Sequence, residues 1–337
     1  MSMSASVAPG GPDAAPALLK AEGITKTFLI PRGLFRPALR LSAVNDVSLE
    51  VRAGRTLGIV GESGCGKSTL SRILAGTLRA TSGRLVLDGQ DLDALSPATR
   101  KQALRKVQMV FQSPYSSLNP RMTIAQIVRE PLDIHARSVP LAQRDARARA
   151  MLERVGLGAA FADRHPNSLS GGQLQRVGIA RALIGDARLI ICDEPVSALD
   201  VSIQAQVLNL LHEMQRSLGL SYVFISHDLS VVANMADDIA VMYLGKVMEY
   251  GPASTVLGKP AHPYTQALVD SANIPDPRIE KSRRTIALKG EIPTPTQPPS
   301  GCRFRTRCRL AAAVCAEQEP ALAARGAVQH AVACHFA

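Results

Sequence analysis

The chain has 337 residues, 46% of them hydrophobic but only 4% aromatic and none Trp, so it has room for two domains with cores filled by aliphatic side chains. Its formal net charge of +11 is uneven: nine Lys or Arg stand against three acidic residues between Asp276 and Arg309, which is either a solvated basic face or a surface for anionic lipid, nucleic acid or a partner. The longest apolar runs, such as Leu189 to Cys192 and Ile239 to Leu244, fall far short of the roughly 20 residues that cross a bilayer, so a spanning helix is excluded.

In chain order, residues 1–17 are rich in Ser, Ala, Pro and Gly and lack the basic start and apolar stretch of a secretion signal. A disordered leader on a protein that stays in the cytoplasm is expected. Leu18 to Phe28 and Ser42 to Val51 alternate apolar and polar, the pattern of strands with one buried face. Thr56 to Val60 is a short apolar strand, and Ser68 to Leu78 has helical spacing, so the Gly-rich stretch between them joins a strand to a helix.

From Pro120 to Gly156 the spacing is helical and rich in Arg and Ala, which predicts an inserted helical subdomain at about 113–178. Leu189 to Cys192 and Tyr222 to Ile225 read as strands separated by an amphipathic helix from Ser202 to Ser217, the alternation of a mostly parallel sheet. Ile239 to Tyr243 and Lys246 to Tyr250 flank Leu244-Gly245 as a hairpin. Beyond Gly251, eight prolines from Pro260 to Pro299 predict a segment that does not continue the sheet, with a boundary near Pro260. The expected division is therefore 18–260 and 261–337.

Three motifs carry chemistry. Gly61-Glu-Ser-Gly-Cys-Gly-Lys-Ser-Thr69 brackets four residues with glycines and then places Lys and Ser. Backbone N–H groups around Ser63, Gly64, Cys65 and Gly66 can curl about a β-phosphate, and Lys67 can reach the β and γ oxygens. Ser68 can ligate Mg²⁺, with Thr69 beside it at the helix start. Cys65, near that helix N-terminus, is expected to be a somewhat reactive thiol that nucleotide shields, whereas Cys192 is expected to be a small core residue.

Leu189-Ile-Ile-Cys-Asp193-Glu194 ends a buried strand with two carboxylates, Asp193 for the Mg²⁺ shell and Glu194 to polarise the attacking water. Between these lies Leu169-Ser-Gly-Gly-Gln-Leu-Gln-Arg176. Ser-Gly-Gly alone can cap any helix. In this order and spacing the chain resembles the ABC ATPase family, whose signature LSGGQ precedes the second carboxylate motif.

The resemblance implies an α/β P-loop NTPase nucleotide-binding domain with a mostly parallel sheet core, a β subdomain, a helical insert and a small Cys-containing C-terminal extension. It implies a head-to-tail dimer in which Ser170, Gly171, Gly172 and Gln173 of one subunit clamp the γ-phosphate of ATP held by the other. Gln112 matches the glutamine that contacts Mg²⁺ and water, Asp200 the loop that crosses the dimer, and His227 the γ-phosphate switch. Phe28 matches the aromatic that stacks on adenine, although an aromatic ending a strand is otherwise a core residue.

Phe111-Gln-Ser-Pro-Tyr-Ser-Ser-Leu-Asn-Pro120, His262-Pro-Tyr-Thr-Gln-Ala-Leu268 and Gly290-Glu-Ile-Pro293 followed by Pro298-Pro-Ser-Gly-Cys302 look like stretches of the dipeptide and oligopeptide importer ATPases. Membership in that branch implies ATP hydrolysis that drives peptide import. It also implies a second, similar ATPase subunit, two transmembrane permeases and an external solute-binding protein, with the chain peripheral on the cytoplasmic face of the inner membrane. Importers of nickel and other small solutes share these stretches. A soluble ATPase acting on nucleic acid fits poorly, because one compact cassette is present, and no nucleic acid partner is expected; an ATPase-bearing metal sensor and an exporter subunit are further alternatives.

Cys302, Cys308, Cys315 and Cys334 crowd the end of the chain, a clustering that points to metal rather than disulfides. Their spacing is not the pair-and-pair pattern of common zinc ribbons. Four thiolates hold either Zn²⁺ or an iron–sulfur cluster, and the importer ATPases imply [4Fe–4S]; unligated thiols remain the third option. Arg303, Arg305, Arg307 and Arg309 are expected to offset the negative charge of such a site.

Overall fold

A computed structural model describes residues 16–33, 37–271, 290–325 and 330–337. The expected leader, apart from its last two residues, and the basic stretch from 276 to 289 lie outside them. The chain divides into two compact units, one of residues 1–93 with 224–337 and one of residues 94–223.

The first unit opens with β1 (Ala17–Ile30) and β2 (Leu39–Arg52), which pair antiparallel, followed by β3 (Thr56–Val60) and helix α1 (Lys67–Leu74). β4 (Ser82–Leu87) and β5 (Gln90–Asp91) complete an antiparallel sheet in the order β2-β1-β4-β5. All five residues of β3 are buried, which is why its sequence is continuously apolar rather than alternating. Helix α1 ends four residues before the predicted Leu78. Gly76 turns left-handed at φ 69°, and the Thr77 and Leu78 amides both bond back to the Arg72 carbonyl, closing the helix although the apolar spacing runs on.

The second unit holds α2 (Pro97–Leu104), β6 (Val107–Val110) and the single-turn α3 (Pro114–Ser117). Next come α4 (Ile124–His135), α5 (Leu141–Arg154), α6 (Gly171–Leu183), β7 (Leu189–Asp193) and α7 (Val201–Leu218). β6, which the apolar–polar pattern does not single out, pairs in parallel with β7. Several of these helices, though not all, begin on side-chain caps: Thr123 and Gln126 form a reciprocal capping box on α4, and Asp200 caps α7 by accepting from the Ile203 amide at 3.0 Å. Helix α4 tolerates the internal Pro131, and its Arg129 and Asp133 join Arg144, Asp145, Arg149 and Asp163 in a chain of ion pairs that ties α4 to α5.

β8 (Ser221–Ser226) carries the chain back to the first unit, where α8 (Leu229–Met235), β9 (Asp238–Tyr243) and β10 (Lys246–Pro252) follow. β9 pairs parallel with β3 and antiparallel with β10, and the predicted Leu244-Gly245 hairpin has both turn residues at positive φ, 44° and 79°. α9 (Ala253–Gly258), α10 (Pro263–Ser271), α11 (Ala313–Glu317), β11 (Ala323–Ala324) and β12 (Ala331–Val332) end the chain.

The expectation that nothing beyond Gly251 continues the sheet is corrected here. β12 pairs antiparallel with β10, Glu249 opposite Val332, and β11 pairs with β12, so the unit's strands run β11-β12-β10-β9-β3. The prolines interrupt the tail, and the two short strands form beyond the last of them, where residues 320–337 carry no further proline after Pro320. A buried carboxylate fastens this edge: Glu249, fully buried on β10, accepts from the Ala261 and His262 amides, each at 2.9 Å, and from His330 Nε2 at 2.7 Å.

Candidate functional site

In the first unit the Gly-rich segment leaves the carboxyl end of β3 and enters α1, as the motif predicts. Gly66 has φ 107°, and a Cβ there would sit 2.1 Å from the Ala43 carbonyl oxygen, so no other residue fits that corner. Around Gly64 nothing lies within 4 Å of a built Cβ, leaving one flank of the loop open to a ligand. Ser63, Gly64 and Ser68 are exposed while Lys67 is buried. The Lys67 ammonium donates to the Gly61 and Glu62 carbonyls at 2.6 and 3.0 Å and lies 3.9 Å from the Cys65 sulfur. A loop of exposed backbone with a cation at its centre fits a polyphosphate.

Cys65 does not behave as predicted. Its side chain is buried at 4% exposure, and that burial pushes its thiol up despite the opposing charge of Lys67. It is therefore a protonated packing residue rather than a reactive thiolate, because only the thiolate attacks electrophiles. Cys192 is fully buried in β7 and its thiol is likewise pushed up by burial, as expected of a core residue.

His227 is exposed just after β8, ahead of Asp228, which caps α8 by accepting from Ser230. Phe28 is 37% exposed near the end of β1, with Lys26 Nζ 5.3 Å from its ring centroid. It is an exposed aromatic rather than a fully buried core residue.

The second unit gathers another set. Asp193 ends β7 with its side chain largely buried, and Glu194 follows it at φ 49°. A glutamate in the left-handed region is uncommon and costs of order 1–3 kcal/mol, a strain that recurs at functional sites. Gln112 Nε2 donates to Glu194 Oε2 at 2.9 Å, joining two predicted catalytic side chains 82 positions apart. Ser170 and Gln173 form a capping box on α6: the Gln173 amide donates to the Ser170 hydroxyl at 3.4 Å and the Ser170 amide to Gln173 Oε1 at 2.9 Å. The signature thus builds a helix N-terminus, a ready site for anions, before any partner is considered. Gly171 opens that helix, and Gly172 packs so closely that a Cβ would meet the Ile203 side chain at 2.4 Å. The Asp200 carboxyl is held below the usual carboxylate range by the Ile203 amide first and then the Ser202 hydroxyl.

The tail thiols lie near one another. Burial pushes Cys302 up first, and the charges of Cys315, Cys308 and Cys334 push it the same way. Cys308 accepts from the Leu310 amide at 3.3 Å and Cys334 from the Phe336 amide at 3.4 Å, the two-residue N–H···S turn that suits a thiolate ligand. As the side chains stand, however, no three His, Cys, Asp or Glu among the described residues are arranged to hold a metal ion. The four arginines also face other partners than predicted. Arg303 donates to the Leu244 carbonyl, Arg305 to Ser300, Arg307 to Glu62 and Arg309 to Gln266.

Residues 62, 264 and 307 come from separate sequence stretches and form a support through contacts that none of those stretches signals. Tyr264 Oη accepts the Glu62 amide at 2.9 Å, and Arg307 forks onto both Glu62 carboxylate oxygens at 2.6 and 3.0 Å. Separations of 202 and 245 positions leave no local pattern from which to find them.

Comparison with known proteins supplies the context for this geometry. Residues 44–197 match the family model described as "ABC transporter", and residues 248–315 the model described as "Oligopeptide/dipeptide transporter, C-terminal region". The chain is 49% identical over 300 residues to the oligopeptide transport ATP-binding protein OppF of Salmonella typhimurium, covering 89% of each chain. It is 47% identical over 307 residues to the dipeptide transport ATP-binding protein DppF of Escherichia coli, covering 90% of each. Among solved structures, the ATP-binding cassette MJ0796, a dimer in a post-hydrolysis state bound to ADP and Pi, superposes with a TM-score of 0.62 at 30% identity, covering 70% of this chain and 98% of that one.

Proposed function

Because the chain belongs to the ABC transporter family, within its oligopeptide and dipeptide branch, we propose that it works as one half of a paired ATPase that powers peptide import through two membrane permeases. The observation that carries this is the order of the two family matches, a cassette at 44–197 and then the peptide-transporter C-terminal region at 248–315, on one chain. No helix among the described residues is long and apolar enough to cross a membrane. In this proposal the permeases supply the channel and this subunit docks at its cytoplasmic face.

The proposed division of work follows the geometry of each unit. Lys67, with the backbone from Gly61 to Thr69, grips the β- and γ-phosphates, and Phe28 stacks on adenine. Ser68, Gln112 and Asp193 would hold Mg²⁺, which would supply positive charge to offset that of the phosphate oxygens. Glu194, oriented by Gln112, accepts a proton from the attacking water, and His227 answers to the γ-phosphate. The α6 N-terminus, from Ser170 to Gln173, closes on the nucleotide of the second ATPase subunit, and the Asp200 loop crosses between the two. An external binding protein delivers peptide.

Reconstitution with the permeases and the second ATPase tests the assignment. ATP-dependent uptake of labelled di- or oligopeptide is expected, with uptake abolished in Lys67→Ala. Uptake of Ni²⁺ but not peptide would replace the substrate class, and uptake unaffected by Lys67→Ala would remove the loop from the motor.

For the tail thiols we propose a tetrathiolate site, a [4Fe–4S] cluster before Zn²⁺, supported by their proximity and by the two N–H···S turns. Metal binding would have to draw the thiols together and deprotonate them. Anaerobically purified protein is expected to carry iron and sulfide in about equal amounts; colourless protein with stoichiometric zinc, or with no metal, would overturn the cluster.

A further inference from the structure

We propose that the C-terminal extension is a working part of the nucleotide site: Arg307 and Tyr264 are positioning residues that hold the phosphate loop, through Glu62, in the shape that binds ATP. This rests on the reading of that loop as an ATP site.

Glu62 is tied at both its backbone and its side chain. Its amide donates to Tyr264 and its carboxylate takes the Arg307 fork, while its carbonyl and that of Gly61 are the acceptors of the Lys67 ammonium. A displacement of Glu62 therefore displaces Lys67. The pair is well shielded, with the Arg307 side chain 6% and the Glu62 side chain 23% exposed. A bidentate, largely dry fork fixes orientation as well as distance.

The guanidinium is itself held in place. It lies 5.9 Å from the Tyr243 ring centroid, and Tyr243 packs against Tyr264 at 4.9 Å and edge-on against Phe304 at 5.3 Å. A second tether reaches the far side of the loop. Arg303 bonds to the Leu244 carbonyl, and the adjoining Gly245 amide donates to the Cys65 carbonyl at 2.7 Å. Both sides of the loop are thus fastened to residues between 244 and 307.

A loop released from these ties spends part of its time in shapes that do not bind, and apparent affinity falls by the fraction lost. The hydrolytic carboxylate, Glu194, is not among the tethered groups. Loss of the clamp is therefore expected to act on ATP affinity rather than on turnover at saturation.

The test is ATP titration and steady-state hydrolysis on the full-length chain. Arg307→Ala is expected to raise the Kd and KM for ATP about tenfold, as for a loop left competent about one tenth of the time, with kcat within about threefold of the parent. Arg307→Lys, which keeps the charge without the fork, is expected to fall between. Exchange of the pair, Glu62→Arg with Arg307→Glu, is expected to recover most of the affinity. Unchanged ATP affinity in Arg307→Ala overturns the proposal, and if that variant does not fold, unchanged affinity in Arg307→Lys does so. A lowered melting temperature with parental Kd would make Arg307 a packing residue and likewise overturn it. Equal ATP binding by the parent and by Lys67→Ala would instead sink the ATP-site reading itself.

Discussion

Glu194→Gln is expected to bind ATP and hold it between paired subunits while hydrolysing it at least about a hundredfold more slowly, the scale of a lost general base. Two features of the second unit support that magnitude. The backbone is strained to φ 49° at this residue, and Gln112 fixes its carboxylate at 2.9 Å, so the group is aimed rather than merely present. The amide keeps the size and one acceptor oxygen but cannot take a proton, which separates binding from chemistry. Single-turnover hydrolysis with nucleotide-binding assays on the same sample is the check. Turnover within about tenfold of the parent would remove Glu194 from proton transfer, since positioned bases contribute more than that.

Glu249→Ala is expected to cost about 3–5 kcal/mol of stability, since it strands three buried donors that each cost roughly 1–3 kcal/mol when left unpaired. The carboxylate has no exposed surface, and its loss strands the Ala261 and His262 amides together with the His330 ring inside the protein. His262 cannot compensate by charging, because its burial pushes its pKa down to about 4 and it remains a neutral acceptor for the Tyr264 amide. Glu249→Gln, which keeps an acceptor but presents an N–H to one donor, is expected to lose less. Urea unfolding of the isolated chain measures both. A loss below about 1 kcal/mol, the worth of one ordinary hydrogen bond, would show that Glu249 does not fasten the tail.

The elements near the motifs were legible in the sequence because local rules set them. Five buried residues in β3 read as an apolar run, Ser170 and Gln173 stand at capping-box spacing, and Leu244-Gly245 is a turn between two apolar strands. The motif order made the phosphate loop and the Asp193-Glu194 pair visible for the same reason. The tail was not legible. β11 and β12 are two residues each, too short for any period, and their pairing is decided by Glu249, which in the sequence resembles an outward-facing strand residue. The arginines from 303 to 309 resemble a cluster's counter-charges, but Arg303, Arg307 and Arg309 find partners 59, 245 and 43 positions away. Cys65 shows the opposite limit: position at a helix start argues for reactivity, and only packing reveals that burial prevails.

The fork between Glu62 and Arg307 spans 245 positions, and this bears on how the protein is made. During synthesis the loop leaves the ribosome 245 residues before its last support does. Over that stretch of elongation the growing polypeptide carries the loop without its final grip. A chain cut before Arg307 would contain every nucleotide motif but lack this brace.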